Sequence, residues 1–126
     1  MEVSRPAVSE MMKRLEVEGL IQAGREIKLT AKGMHLAETV VRRHRLAECF
    51  LTDVLGLSWA DAHQEAGKWE HVISPTVEKA MVARLNDPTT CPHGNPIPGS
   101  GYEAPDLIAL EAIGVGKEFE VHRIPE

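Results

Sequence analysis

Residues of metal-ligand type recur at helical spacing in the middle of the chain. The set is His44, Glu48, His63, Gly67, Glu70 and His71. The first two are four residues apart, and the last four fall at offsets of zero, four, seven and eight. Such offsets place residues on one side of an α-helix. Imidazole nitrogen with carboxylate oxygen suits Fe, Mn, Zn, Co or Ni. The spacing therefore predicts a transition-metal site on two neighbouring helices.

The same spacing indicates two metal centres. His63 and Glu70 are seven residues apart, which is about 10 Å along a helix axis, whereas metal–ligand bonds are about 2 Å long. One centre would use His44, Glu48 and His63. The other would use Glu70 and His71 with ligands from elsewhere. The alternative is a polar helix face that carries histidines without a metal, but five ligand-type residues in register favour metal binding.

Length and composition predict a soluble protein of one domain with a modest, aliphatic core, with room for a fragment of a second domain. The chain has 126 residues, of which 43% are hydrophobic and 4% aromatic, and its net charge is −5. This charge argues against a nucleic acid coating the whole surface, although a local basic patch remains compatible with it. A transmembrane run and a signal-peptide core are both missing, and Cys49 and Cys91 make no disulfide framework. We therefore expect a cytoplasmic protein without a membrane partner.

The first 29 residues have the pattern of a helix followed by a small hairpin. Ser4 is a suitable cap for a helix over 5–17, and 20–29 alternate as a hairpin. A helix that runs into a short basic hairpin is typical of a winged helix-turn-helix, with Arg25 and Lys28 on the wing. The recognition helix would then be 5–17. The alternative is an ordinary helix and hairpin in a small α+β domain.

Three further helices follow in the periodicity of the chain. They are predicted over 30–55, over 59–73 and onward from Pro75. The first carries Arg42, Arg43 and Arg45, for which a solvated basic face is the favoured interpretation over phosphate binding.

The C-terminal third is rich in proline and glycine before it becomes regular again. Residues 87–105 predict a loop or linker. Within it, Cys91 and His93 could hold a metal, but a structural loop is favoured. Residues 106–126 predict an apolar segment and then a strand with Phe119 and Val121 inward.

Four segments of the chain resemble the diphtheria-toxin-repressor family of metal-dependent transcriptional repressors, which includes the iron-dependent and manganese-transport regulators. The segments are PAVSEMMKRLEVEGLI, LTAKGMHLAETVVRRHRLAECFLTDVLGL, HQEAGKWEHVIS and CPHGNPIPG, and together they cover about residues 4–99.

The resemblance implies a mainly α fold. A partial winged helix-turn-helix, made of the recognition helix and the wing hairpin, would be followed by a helical metal-binding and dimerisation domain and a short β fragment at the C-terminus. The corresponding ranges are 1–29 for the DNA-binding part, 30–90 for the helical domain, 91–105 for a linker and 106–126 for the start of an SH3-like domain.

The resemblance also assigns roles to residues. His44, Glu48 and His63 match the family's ancillary metal site, and Glu70 and His71 match its primary, activating site. Expected DNA contacts on the recognition helix are Ser4, Arg5, Pro6, Ser9 and Lys13. A dimer interface is expected at Phe50, Leu51, Trp69 and Val72, because this apolar surface exceeds what a small helical unit can bury.

The chain departs from the family pattern in two respects. Two helices and a primary-site ligand that normally precede the recognition helix are missing, so we expect a truncated member. Position 67 is usually Cys in iron regulators and Glu in manganese regulators, but Gly67 offers only its carbonyl oxygen. The primary centre should therefore be the weaker of the two.

The leading hypothesis is a dimeric, metal-dependent repressor that binds operator DNA in the intact protein. Fe²⁺ or Mn²⁺ would be the physiological ion, and Zn, Co or Ni could substitute. The alternative is a metal-binding dimerisation module that no longer binds DNA specifically. A metallohydrolase is disfavoured, because no base or nucleophile stands beside an open metal position, and we expect no enzymatic activity.

Overall fold

A computed structural model describes residues 3–125 of the chain. The structure is mainly helical, as predicted. Its helices are α1 (Arg5–Val17), α2 (Ala31–Asp53), α3 (Trp59–Trp69) and α4 (Pro75–Arg84), with strands β1 (Ile21–Gln22) and β2 (Lys28–Leu29) and a short 3₁₀ turn at Leu110–Ala112. The described residues divide into two compact units, 3–39 and 40–125.

Side-chain caps begin the helices where the sequence places them. The hydroxyl of Ser4 accepts the backbone N–H of the third helical residue of α1, and Ser58 and Ser74 do the same for α3 and α4. Thr30 accepts the Gly33 N–H at 3.0 Å at the start of α2. These bonds satisfy N–H groups that have no partner within the first turn of a helix.

The unit of residues 3–39 consists of α1, the hairpin and the first turns of α2. In the hairpin, Ile21 pairs with Leu29 in an antiparallel register. Leu20 and Ile21 are buried, and a Cβ at Gly33 would overlap the carbonyl oxygen of Leu20. The first turn of α2 and the residue before β1 therefore touch at the backbone, which requires glycine at that position. None of the residues of α1 is buried.

The unit of residues 40–125 has an aliphatic core. Its buried members are Leu46, Ala47, Cys49, Leu51, Ala62, Ala66, Ile73, Met81 and Ile97. The three alanines belong to α2 and α3 and lie in this core among larger aliphatic side chains. The segment expected to be a linker also contributes, because Cys91, Asn95 and Ile97 are at most 3% exposed. It is a packed loop in this part.

Two predicted elements differ from the structure. The strand expected around Phe119 and Val121 is not formed, and both side chains are more than half exposed. A strand is stable only when another strand completes its hydrogen bonds, and among the described residues the one sheet contains only β1 and β2. The helix predicted over 59–73 ends at Trp69, so Glu70 is its cap and His71 lies in the following turn.

Candidate metal centre

Two helices bring three ligand-type side chains together. His44 and Glu48 lie one turn apart on α2, and His63 faces them from α3. The His44 Nε2 atom is 3.2 Å from His63 Nδ1 and 3.2 Å from Glu48 Oε1, and His63 Nδ1 is 3.3 Å from Glu48 Oε2. One ligand atom from each residue lies within 4.8 Å of the others. This is the set that the sequence grouped as its complete centre.

The carboxylate at the middle of the cluster is completely buried. Glu48 is 0% exposed, and an ionised carboxylate is costly to remove from water unless positive charge or hydrogen-bond donors surround it. The hydrogen bond with Glu48 raises the pKa of His44 above its ordinary value, burial opposes this, and a bond with Glu70 raises the pKa further. A dense set of nitrogen and oxygen donors around a buried negative charge fits a divalent transition ion.

A second group shares the same carboxylate. Cys91 and His93 lie in the loop after α4, and His93 Nδ1 is 3.3 Å from Glu48 Oε2 and 3.8 Å from the Cys91 sulfur. Potential ligand atoms of these three residues also lie within 4.8 Å of one another. The sequence interpretation favoured a purely structural role for Cys91 and His93. The signal for metal binding in the sequence is that only Pro92 separates Cys91 from His93. No local pattern indicates that the loop returns to Glu48.

The expected second centre is arranged differently from the prediction. Glu70 Oε2 lies 2.6 Å from His44 Nδ1, on the side of the ring away from Glu48, and its Oε1 lies 3.2 Å from His71 Nε2. His71 is 68% exposed at its side chain. No described residue adds a third ligand to this pair. In this position Glu70 orients His44, as carboxylates beside metal-binding histidines do.

Gly67 leaves room where a longer side chain would stand. A Cβ built at this position meets no atom within 4 Å. Packing of the described residues therefore does not require glycine at position 67, and a ligand side chain would fit there.

Cys49 lies close to the cluster but has a structural role. Burial, reinforced by the nearby charge of Asp53, raises the pKa of its thiol to about 12. The protonated sulfur donates a hydrogen bond to the carbonyl of Thr90 at 3.3 Å. This bond joins α2 to the loop, and Cys49 belongs to neither group of potential ligands.

The basic segment of α2 is engaged in contacts within the same unit. The Arg43 guanidinium donates to Glu78 Oε2 at 2.9 Å, and Arg42 donates to the other oxygen of that carboxylate. Arg45 donates to the backbone carbonyl of Pro96. The favoured interpretation of a solvated basic face was therefore wrong for these three arginines, because they bind α4 and the loop.

Residues expected at the dimer interface fall into two classes. Leu51 is 2% exposed and belongs to the core of its own chain, so its side chain is not available to a partner and that assignment is corrected. Phe50 and Trp69 pack against each other with ring centroids 6.2 Å apart and are partly buried. Val72 is 78% exposed. Phe50, Trp69 and Val72 stay as predicted interface residues.

Residues expected to contact DNA lie on α1. Arg5, Ser9 and Lys13 recur every four residues on this exposed helix, and that spacing places them on one face. Pro6 occupies the first turn and Ser4 is the cap.

No helix among residues 3–125 has the length and apolar character needed to cross a membrane.

Comparison with known proteins identifies the family. The family described as iron dependent repressor, metal binding and dimerisation domain, matches residues 30–99. Among curated proteins, the iron-dependent repressor IdeR of Mycobacterium tuberculosis H37Rv is 48% identical over 117 residues, which cover 91% of this chain and 46% of that protein. The diphtheria toxin repressor of Corynebacterium diphtheriae is 42% identical over 118 residues, with 92% and 48% covered.

Solved structures are similar as well. The manganese regulator SloR matches with a TM-score of 0.72 and 41% identity, covering 79% of this chain and 47% of that one. A manganese-dependent transcriptional repressor in complex with manganese matches with a TM-score of 0.74 and 39% identity, covering 83% and 49%. The chain spans about half the length of the curated relatives it matches. By its sequence and its fold, this chain belongs to the iron-dependent repressor family.

Proposed function

We propose that the protein is a metal-dependent transcriptional regulator, a dimeric repressor whose operator binding is coupled to divalent metal binding. The observation that carries this proposal is the convergence of His44, Glu48 and His63 around a fully buried carboxylate. The cluster lies inside the segment that matches the family's metal-binding and dimerisation domain. A role in regulation rather than catalysis accords with relatives that are named as repressors.

Fe²⁺ or Mn²⁺ is the proposed physiological ion. Related proteins are named as iron-dependent or manganese-dependent, and one related structure contains bound Zn²⁺. The ligands of the proposed main centre are His44, Glu48 and His63. Imidazole and carboxylate bind all of these ions, and Co or Ni is expected to substitute in vitro. Glu70 and His71, with the Gly67 carbonyl, form the proposed weaker centre.

The proposed coupling is a linkage between helix arrangement and DNA binding. Ligands on α2 and α3 that share one ion are held in a single relative arrangement, which the bound state therefore favours. If the same arrangement favours the homodimer and its binding to the operator, bound metal raises the protein's affinity for DNA. Bound DNA then raises its affinity for the metal by the same factor. Phe50, Trp69 and Val72 are the proposed partner contacts, and Arg5, Ser9 and Lys13 the proposed DNA contacts.

The proposal is tested by measuring DNA affinity as a function of Mn²⁺. Fluorescence anisotropy of a labelled palindromic duplex should report tighter binding with Mn²⁺ than without it, and His63→Ala should lose the difference. Glu65→Ala on the same helix is the matched control, because Glu65 pairs only with exposed Lys68 in the described contacts. Failure of the chain to bind Mn²⁺ in calorimetry would overturn the proposal.

A metal-binding dimerisation module without specific DNA binding is the second candidate. It is favoured by α1, which buries none of its residues, because short helices without packing are marginal in water. We expect this chain to bind DNA weakly and with strong dependence on salt. Tight Mn²⁺ binding that leaves DNA affinity unchanged would select this second function.

A further inference from the structure

The loop that carries Cys91 and His93 is joined to a distant part of the chain. The Ile124 backbone N–H donates to the carbonyl of His93 at 2.8 Å. Two residues on, the Asn95 side-chain amide donates to the Ile124 carbonyl at 2.8 Å and its oxygen accepts from Arg123 Nε at 2.9 Å. Three hydrogen bonds thus hold the segment 122–124 against the loop.

Asn95 links this segment to Cys91. Its side chain is 0% exposed, and its backbone carbonyl accepts the Cys91 N–H at 2.9 Å. Buried amides remain stable only when their hydrogen bonds are made, and Asn95 has both a donor and an acceptor contact to the segment. The residue therefore joins the Cys91–Asn95 turn on one side to 122–124 on the other.

Gly94 allows the two backbones to come this close. Its φ is +82°, and a Cβ at this position would overlap the carbonyl oxygen of His122. Gly101 supplies an internal comparison, because its φ is +75° but a Cβ there meets nothing within 4 Å. Alanine would be strained at both positions, whereas only at Gly94 would it push the segment away.

We propose that Asn95 is a positioning residue that clamps the segment 122–124 onto the loop and thereby holds His93 and Cys91 within reach of Glu48. The inference rests on the proposed metal-binding function, extended to the group of Glu48, Cys91 and His93, and adds a requirement to it. Bonds within the loop, from the Cys91 N–H to the Asn95 carbonyl and from the Gly94 N–H to the Cys91 carbonyl, shape its turn. The segment adds to these the bond from Ile124 to the His93 carbonyl. Release of the segment is expected to free the imidazole from its 3.3 Å approach to Glu48.

The first experiment needs no metal. Amide hydrogen exchange at Ile124, followed by NMR in the metal-free chain, should be slow in the wild type and in Gly101→Ala. It should be fast in Asn95→Ala and in Gly94→Ala. Arg123→Ala changes only the exposed partner, so it should fold normally and shift exchange in the same direction. Unchanged exchange at Ile124 in Asn95→Ala and Arg123→Ala would overturn the clamp.

The second experiment uses Co²⁺ as the probe. Coordination by Cys91 should appear as a thiolate-to-cobalt absorption band that Cys91→Ser removes. Asn95→Ala and Gly94→Ala should lower the Co²⁺ affinity reported by this band about 10–100-fold, as loss of groups that orient ligands does, whereas Gly101→Ala should not. Fast exchange at Ile124 with unchanged Co²⁺ affinity would overturn the positioning role.

The two experiments separate the inference from the function on which it rests. A wild type without the thiolate band would refute metal binding by Cys91, and with it the role of Asn95 in positioning that ligand. Exchange at Ile124 would still report whether the clamp exists. A band that is present but indifferent to Asn95→Ala would refute only the positioning role.

Discussion

Glu48→Gln is the substitution that most directly tests the candidate centre. Glu48 belongs to both ligand groups, and its oxygens lie 3.2 Å from His44 Nε2, 3.3 Å from His63 Nδ1 and 3.3 Å from His93 Nδ1. Glutamine has nearly the same size and shape but no charge, and one of its two terminal atoms is a donor. The change therefore removes the shared anionic ligand while filling the same space.

The size of the effect follows from binding linkage. At a free Mn²⁺ concentration a hundredfold above its Kd, binding stabilises the folded chain by about 2.7 kcal/mol. In a chain of this length 1 kcal/mol corresponds to roughly 4 °C in Tm, so Mn²⁺ should raise the Tm of the wild type by about 10 °C. Loss of orienting groups already costs about 10–100-fold in affinity, and loss of a ligand should cost at least the larger figure. The variant should then gain about 2 °C or less.

Calorimetric unfolding with and without Mn²⁺ measures this difference. The comparison uses the metal-induced shift of each protein, so any change in the metal-free stability of Glu48→Gln cancels. Glu65→Gln is the matched control on α3 and should keep the full shift. His71→Ala should also keep most of it, because His71 lies outside both ligand groups. A full shift in Glu48→Gln that disappears in His71→Ala would refute the reasoning and assign the stronger centre to Glu70 and His71.

Three further predictions follow from the described contacts. Gly67→Ala should raise the unfolding free energy by about 0.5–1 kcal/mol, because the position is helical and has room for a Cβ. Gly67→Cys should also strengthen metal binding in calorimetric titration. Equal metal affinities for the two variants would contradict this. Burial would raise the pKa of Glu78, but hydrogen bonds from Arg43 and Arg42 lower it below its ordinary value. The stability that ionised Glu78 contributes is therefore present above about pH 5 and lost as pH falls through the lowered pKa. Glu78→Gln should lower the unfolding free energy by about 1–2 kcal/mol in denaturant at neutral pH. A loss of the same size at about pH 2–3 would exclude the ion pairs as its cause. In sedimentation the chain should behave as about twice its 13.9 kDa mass, and Val72→Glu should shift it toward the monomer; a wild-type monomer at high concentration would refute the dimer.

Local sequence signals determined much of the helical framework and the identity of the main ligand set. Ser58 and Ser74 begin helices where the sequence predicted, because a capping hydroxyl acts on the next three residues and needs no distant partner. His44 and Glu48 face the same way because helical periodicity places residues four apart on one side. The chemical nature of these side chains indicated metal binding before any packing was known.

Contacts between remote segments could not be obtained in this way. The return of the proline-rich loop brings His93 to Glu48, and α4 supplies Glu78 to the arginines of α2. Both contacts depend on how helices pack and where a loop of irregular backbone closes, which periodicity does not encode. The strand expected near Val121 failed for the same reason, since a strand needs a partner supplied by tertiary structure. The sequence by itself therefore determined which side chains could bind a metal. Only the folded chain decided that Glu48 belongs to both groups of potential ligands and that Glu70 contacts His44, because these contacts depend on distances between segments that are far apart in the sequence.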